Sequence, residues 1–209
     1  MSLEGGEGSG KTTQAELLRS WFLGRGLAAV FVREPGTTPL GEQLRELLLS
    51  PSGDGPPMSA ISEALLYTAA RAELVAEVIG PALREGKCVI ADRYIDSTLA
   101  YQGYGLGLPV AQLRWVNDFA TGSLWPRLTL LFDVPATVGL DRSRRGRVRA
   151  DRVEARGLEF HNRVVAGYRR LAQEDPVRFR VIDGSLSVSQ AHEFVVRQVQ
   201  DLLMGGAGT

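Results

Sequence analysis

The stretch Gly5-Gly6-Glu7-Gly8-Ser9-Gly10-Lys11-Thr12 fits the pattern G-x-x-x-x-G-K-T, and a run from Thr13 to Leu23 with Leu17, Leu18, Trp21 and Phe22 at helical spacing follows it directly. The pattern has a mechanical reason. Glycines let successive backbone N–H groups turn inward on phosphate oxygens, while the following helix points its positive end at the same anion. Lys11 is placed to reach the β and γ phosphates of ATP, and the Thr12 hydroxyl suits Mg2+, which prefers oxygen ligands and bridges phosphates. Gly5, Gly6, Glu7, Gly8, Ser9, Gly10, Lys11, Thr12 and Thr13 form the candidate ATP-binding set. Lys11 is one of only two lysines against 22 arginines, so a compact ammonium at that point of the loop stands out.

Outward from the loop, apolar runs alternate with helical patterns. Ala28–Val32, Val89–Ala91, Leu128–Phe132 and Phe179–Ile182 read as buried strands. Helices are expected over Leu40–Leu49, Ser59–Arg84 with a break near Gly80-Pro81, Val110–Ala120 and Ser189–Met204. The strand before the phosphate loop looks shortened, since only Met1, Ser2 and Leu3 precede Glu4. Strand–helix alternation implies a three-layer α/β domain around a parallel sheet, with function gathered at the carboxyl ends of the strands. One domain over residues 1–209 is expected, with a disordered tail at about 205–209.

Composition bounds the partners. Hydrophobic residues make up 44% and charged residues 23%, no apolar run reaches membrane-spanning length, and formal net charge is zero. Membrane and nucleic-acid partners are therefore not expected. The lone Cys88 and an N-terminus without a signal pattern point to the cytoplasm.

Other charged groups fall at or near predicted strand ends. Asp92 follows an apolar strand, where a carboxylate can hold Mg2+ or its waters, and Arg93 beside it can clamp a phosphate; the alternative is a strand-end salt bridge. Six arginines lie between Arg142 and Arg152, among them Arg147 and Arg149. Such density reads either as a flap that closes on a polyanion or as a solvated basic face. Tyr67 and Arg71, four apart on a predicted helix, share one face and offer an aromatic plate beside a planar donor, or else core packing.

Five blocks in order resemble the thymidylate kinase family: Glu4 to Gln14, Arg33 to Arg45, Glu63 to Arg71, Asp92 to Gly103, and Asp151-Arg-Val-Glu154. The resemblance implies a P-loop NTPase fold of the nucleoside monophosphate kinase type with a five-stranded parallel sheet, and transfer from ATP to dTMP with Mg2+. With the motif readings above, Lys11 and Arg93 are the catalytic candidates and Thr12 and Asp92 the metal candidates. The acceptor region spans about residues 34–71 and the lid about 141–153. Glu7 would hold the sugar 3′-OH, Arg45 and Arg93 the dTMP phosphate, and Glu34 nearby water or Mg2+. Tyr67 would stack on thymine, Arg71 would donate to it, Ser97, Thr98 and Gln102 would line base and sugar, and Tyr101 would disfavour a ribose 2′-OH. The arginine-rich run is similar to the lid of the bacterial subtype, with Arg147 and Arg149 as candidates for assisting transfer. A homodimer is likewise implied.

Overall fold

The computed structural model describes residues 1–50, 58–145 and 150–205. Five parallel strands, β1 Ser2–Gly5, β2 Ala29–Arg33, β3 Cys88–Asp92, β4 Thr129–Asp133 and β5 Phe179–Asp183, lie in the order β2-β3-β1-β4-β5. β1 is short but not deficient. All four of its residues are buried, and it pairs with β3 on one side and β4 on the other. Because β1 is central, the loop that follows it opens at the middle of the sheet's carboxyl edge.

Alternation along each strand sends side chains to two separate cores. Leu3, Ile90, Leu130, Phe132 and Ile182 pack with Leu18 and Phe22 of α1 (Lys11–Leu23) and with Val195 and Val199 of α9 (Val188–Gly205). Ala91, Leu131 and Phe179 face the opposite cluster, built from α3 (Ala60–Leu74), α6 (Val110–Thr121) and α8 (Leu158–Glu174). Each fully buried leucine or isoleucine contributes about 1.5–3 kcal/mol of transfer free energy. The expected three layers are thus present.

The helix expected to break near Gly80-Pro81 does not break there. A π segment over Val75–Ile79 precedes α4 (Gly80–Arg84), with the Gly80 N–H reaching back to the Val75 carbonyl. That wider turn shifts the register ahead of Pro81, which lacks an N–H, and the helix continues. A second π segment, Leu99–Gly105, extends α5 (Ile95–Thr98). The remaining helices are α2 (Pro39–Leu48) and α7 (Ala136–Arg144). α9 includes Gly205; the rest of the expected tail lies outside the described residues, as do Arg147 and Arg149.

Candidate active site

The phosphate loop owes its path to three left-handed glycines. Gly5, Gly8 and Gly10 have φ of 143°, 60° and 96°, conformations that disfavour side-chain-bearing residues. Space is also short. A Cβ on Gly5 would meet the Phe132 carbonyl oxygen at 2.5 Å, and one on Gly8 would meet the Gly139 carbonyl oxygen at 2.0 Å. Lys11 opens α1 and curls back over the loop, its Nζ donating to Gly5 O at 2.9 Å, Gly6 O at 2.7 Å and Ser9 Oγ at 3.0 Å. Burial, then Arg93, lower the Lys11 pKa to about 8 against the opposing pull of Glu7 and Asp92. All three of its donors thus go to neutral oxygens, and among the described residues no carboxylate forms an ion pair with this ammonium.

A cavity of about 610 Å³ starts at this loop, and every described member of the expected site lines it except Gly5 and Gly6, whose carbonyls hold Lys11. At the loop end, Thr12 Oγ1 donates to Asp92 Oδ2 at 3.3 Å. Asp92 closes β3, so the parallel register that sets β3 beside β1 brings this carboxylate to the loop.

Arg93 follows, with φ of 71°. A non-glycine residue there costs about 1–2 kcal/mol and persists only where its surroundings hold it. Its Nη2 donates to Glu7 Oε1 at 3.0 Å and to the Tyr101 hydroxyl at 3.1 Å, and its Nη1 to Gly5 O at 3.0 Å. The Tyr101 hydroxyl donates to the same Glu7 oxygen at 2.7 Å. Burial alone would raise the Glu7 pKa, but Arg93 and then Lys11, with the Tyr101 hydrogen bond, draw it down to about 2. Glu7 is an anion at any physiological pH.

The far end of the cavity is built on α3 and the π segment after α5. Tyr67, half-buried, and Gln102 line it, and Gln102 Nε2 is held by Glu63 Oε1 at 2.9 Å. Arg45 on α2 donates to Pro35 O at 2.8 Å. Arg71 is 1% exposed, and its five N–H groups are engaged by Glu34 Oε2 at 2.8 and 2.5 Å, Thr98 Oγ1 at 3.0 Å, Asn117 Oδ1 at 2.5 Å and Tyr94 O at 3.1 Å. A donation from Arg71 to a ligand requires release or sharing of one of these acceptors. Glu34, expected near water or metal, is the buried counter-ion of Arg71, and desolvation raises its pKa despite that partner.

Leu49, Arg142, Ser143, Asp151 and Val153 also line the cavity, and sequence reasoning gave them no individual role. Tyr168 on α8, which touches both Arg93 and Glu4, was missed altogether because that helix was not recognised. The signal was present: Val164, Val165, Tyr168, Leu171 and Ala172 repeat at three- and four-residue spacing.

A glycine-built phosphate loop facing an arginine-bearing wall across one cavity defines a P-loop phosphotransferase. The thymidylate kinase family model matches residues 3–195. The chain belongs to the thymidylate kinase family. It is 46% identical over 212 residues to the thymidylate kinase of Symbiobacterium thermophilum, covering 100% of this chain and 97% of that one. Against the thymidylate kinase of Synechococcus sp. strain JA-3-3Ab it is 53% identical over 183 residues, 88% of this chain and 86% of the relative. The crystal structure of thymidylate kinase from Ehrlichia chaffeensis superposes with a TM-score of 0.76 at 34% identity, covering 95% of this chain and 96% of that one.

Proposed function

We propose that this cavity transfers the γ-phosphoryl group of ATP to the phosphate of dTMP, giving ADP and dTDP. The observation that carries the reading is the bridge from Glu7, inside the phosphate loop, to Arg93 and Tyr101. One loop thereby serves both substrates, its backbone facing the donor phosphates and its one acidic side chain facing the acceptor.

Transfer is direct and in line. An acceptor phosphate is already nucleophilic, so a strong base is not needed; positioning and neutralisation of two anions are. Lys11 and Arg93 supply positive charge at the donor and acceptor phosphates, and Arg45 adds a second guanidinium on the acceptor side. Tyr67 offers a stacking face for thymine. Arg71, Ser97, Thr98 and Gln102 bound base and sugar, and Tyr101 stands where a ribose 2′-OH would crowd. The Thr12 hydroxyl and Asp92 carboxylate are hard oxygen donors beside the loop and fit Mg2+, which supplies charge neutralisation on the phosphates. Arg147 and Arg149 are assigned to the closing lid, a reading supported by the adjoining Arg142, which lines the cavity.

The same reading includes a homodimer, and an uncovered apolar face supports it. On α6, Trp115 and Phe119 are 69% and 82% exposed and stacked at 6.2 Å; on the contacting helix α3, Ile61 and Leu65 are 62% and 51% exposed. A second copy of this face is its occupant. Among the described residues no helix is long and apolar enough to cross a membrane. The single cysteine, unpaired, suits the reducing cytoplasm.

An ADP-release assay with ATP and a panel of dTMP, dUMP, CMP and UMP tests the reaction. Turnover highest with dTMP and abolished by Lys11→Ala supports it; turnover indifferent to added monophosphate overturns it.

A further inference from the structure

Beside Arg93 three oxygen-bearing side chains converge, of which Ser97 lines the cavity and Glu4 and Tyr168 lie behind it. Glu4, the third residue of β1, is 0% exposed, and its Oε2 accepts from Ser97 Oγ at 2.6 Å and from the Tyr168 hydroxyl at 2.8 Å. Its Oε1 accepts from the Tyr94 N–H at 2.7 Å, the peptide that immediately follows Arg93. The Arg93 N–H itself donates to Leu3 O at 3.1 Å. The left-handed turn at Arg93 is thus clamped on both sides by β1.

The hydroxyls complete the arrangement. Ser97 and Tyr168 each carry one proton; their oxygens lie 2.8 Å apart, and the negative charge of an ionised Glu4 favours pointing both protons at its Oε2 over bridging one hydroxyl to the other. Their lone pairs are left to face Arg93 Nη1, which lies 3.3 Å from Ser97 Oγ and 3.4 Å from the Tyr168 oxygen. Without a carboxylate to take those protons, a hydroxyl can turn a hydrogen toward the guanidinium, and attraction becomes repulsion. Tyr168 is 1% exposed and does not line the cavity, so it acts on a substrate indirectly, through Arg93 and through Ser97, whose Oγ lies 2.8 Å from its hydroxyl.

We propose that Glu4 and Tyr168 are positioning residues for phosphoryl transfer: the buried carboxylate orders the hydroxyls of Ser97 and Tyr168 as acceptors, and these fix the back edge of the Arg93 guanidinium so that its other edge meets the phosphates. The proposal rests on the reaction assigned above. The groups facing Glu4 are the cations Arg93 and Lys11, the anion Asp96, itself held by Arg178, and the two hydroxyls. Burial first, then Asp96, raise its pKa to about 7, so the carboxylate that orders the hydroxyls is lost near neutrality as pH falls.

The test uses Tyr168→Phe, which removes one oxygen and keeps the ring, and Glu4→Gln, which keeps the shape and cannot ionise. Both are assayed with dTMP beside the unmodified chain from pH 6 to pH 9, with thermal unfolding in parallel. Tyr168→Phe is expected to lower kcat about ten- to a hundredfold with KM for ATP unchanged within about twofold. Glu4→Gln is expected to flatten the acidic limb of the kcat profile and to hold kcat near the low-pH level of the unmodified chain. Retention of kcat and of the acidic limb in both variants overturns the proposal. So does a loss in kcat matched by equal loss of ATP binding and by early unfolding, since that is a structural role. If the unmodified chain shows no dTMP-dependent ADP release, the assigned reaction fails and the proposal fails with it, an outcome distinct from a normal parent with unaltered variants.

Discussion

Gly8 and Gly139 lie backbone against backbone: a Cβ on either would run into the other's segment, Gly8 into the Gly139 carbonyl oxygen at 2.0 Å and Gly139 into the Glu7 carbonyl oxygen at 2.2 Å. Helix α7, which leads into the arginine-rich run, therefore seats directly on the phosphate loop. Glycine in a helix interior is ordinarily improved by alanine, by about 0.5–1 kcal/mol. At position 139 the sign reverses, because backbone atoms cannot step aside as a flexible side chain does. Gly139→Ala is expected to lower unfolding free energy by about 1–3 kcal/mol in urea denaturation. It is also expected to weaken ATP binding. A stabilised variant with unchanged ATP affinity contradicts the contact.

The Glu34–Arg71 pair fastens the turn after β2 to helix α3 with almost no exposure of either side chain. Removing one partner leaves a buried charge uncompensated, so Glu34→Ala is expected to cost about 3–5 kcal/mol in denaturant unfolding. Arg71→Lys is not a rescue, since an ammonium cannot satisfy Glu34, Thr98, Asn117 and the Tyr94 carbonyl from one planar fork. Equal stability of Arg71→Lys and the parent argues against this network as the anchor.

With its pKa lowered to about 8 by burial and Arg93, the Lys11 ammonium of the free protein begins to lose its proton within the working range. Bound phosphates favour the charged form and raise that pKa. Linkage then fixes the sign: Kd for a non-hydrolysable ATP analogue is flat below about pH 7 and rises above about pH 8, approaching tenfold per pH unit. Fluorescence titration from pH 6.5 to 9.5 checks it. Affinity that is constant or improves toward alkaline pH is the contrary result.

Much of this was legible in the sequence for identifiable reasons. Gly5 to Thr12 is local geometry, written in consecutive residues, and Asp92-Arg93 sits at a strand end that an apolar run announces. The parallel sheet followed from alternation, while its strand order did not. What sequence reading could not supply was pairing across distance. That Arg71 is consumed by Glu34, Thr98, Asn117 and Tyr94 depends on contacts 23 to 46 residues away. The Glu4–Tyr168 hydrogen bond spans 164 residues. The π segment before Pro81 also escaped notice, because proline marks a helix break unless a register shift precedes it.

Trp115 and Phe119 supply the next prediction. If a second copy covers this face, Trp115→Glu with Phe119→Glu places two charges in an apolar contact, and sedimentation is expected to shift from dimer to monomer at micromolar concentration. The double variant's unfolding free energy is a control, since both side chains are exposed within one chain. A parent that sediments as a monomer rules out the homodimer.

Glu7 supplies the sharpest test of how one loop serves two substrates. Its carboxylate is held near pKa 2 against burial by Arg93 and Lys11 and counters Arg93; the proposed reaction gives it a second, separable duty, holding the acceptor sugar. Glu7→Gln keeps size while removing the charge and replacing one acceptor oxygen with a donor. Loss of the Arg93 partner should affect any acceptor carrying a phosphate, whereas loss of the sugar contact should affect only one that carries a 3′-OH. Measuring kcat/KM for dTMP and for its 3′-deoxy analogue on both proteins forms a double cycle. The expected fall with dTMP is about ten- to a hundredfold, as for a hydrogen bond to a charged group, with a distinctly smaller fall for the analogue. Equal losses on both substrates would confine Glu7 to holding Arg93, and the sugar contact would have to be sought elsewhere in the cavity.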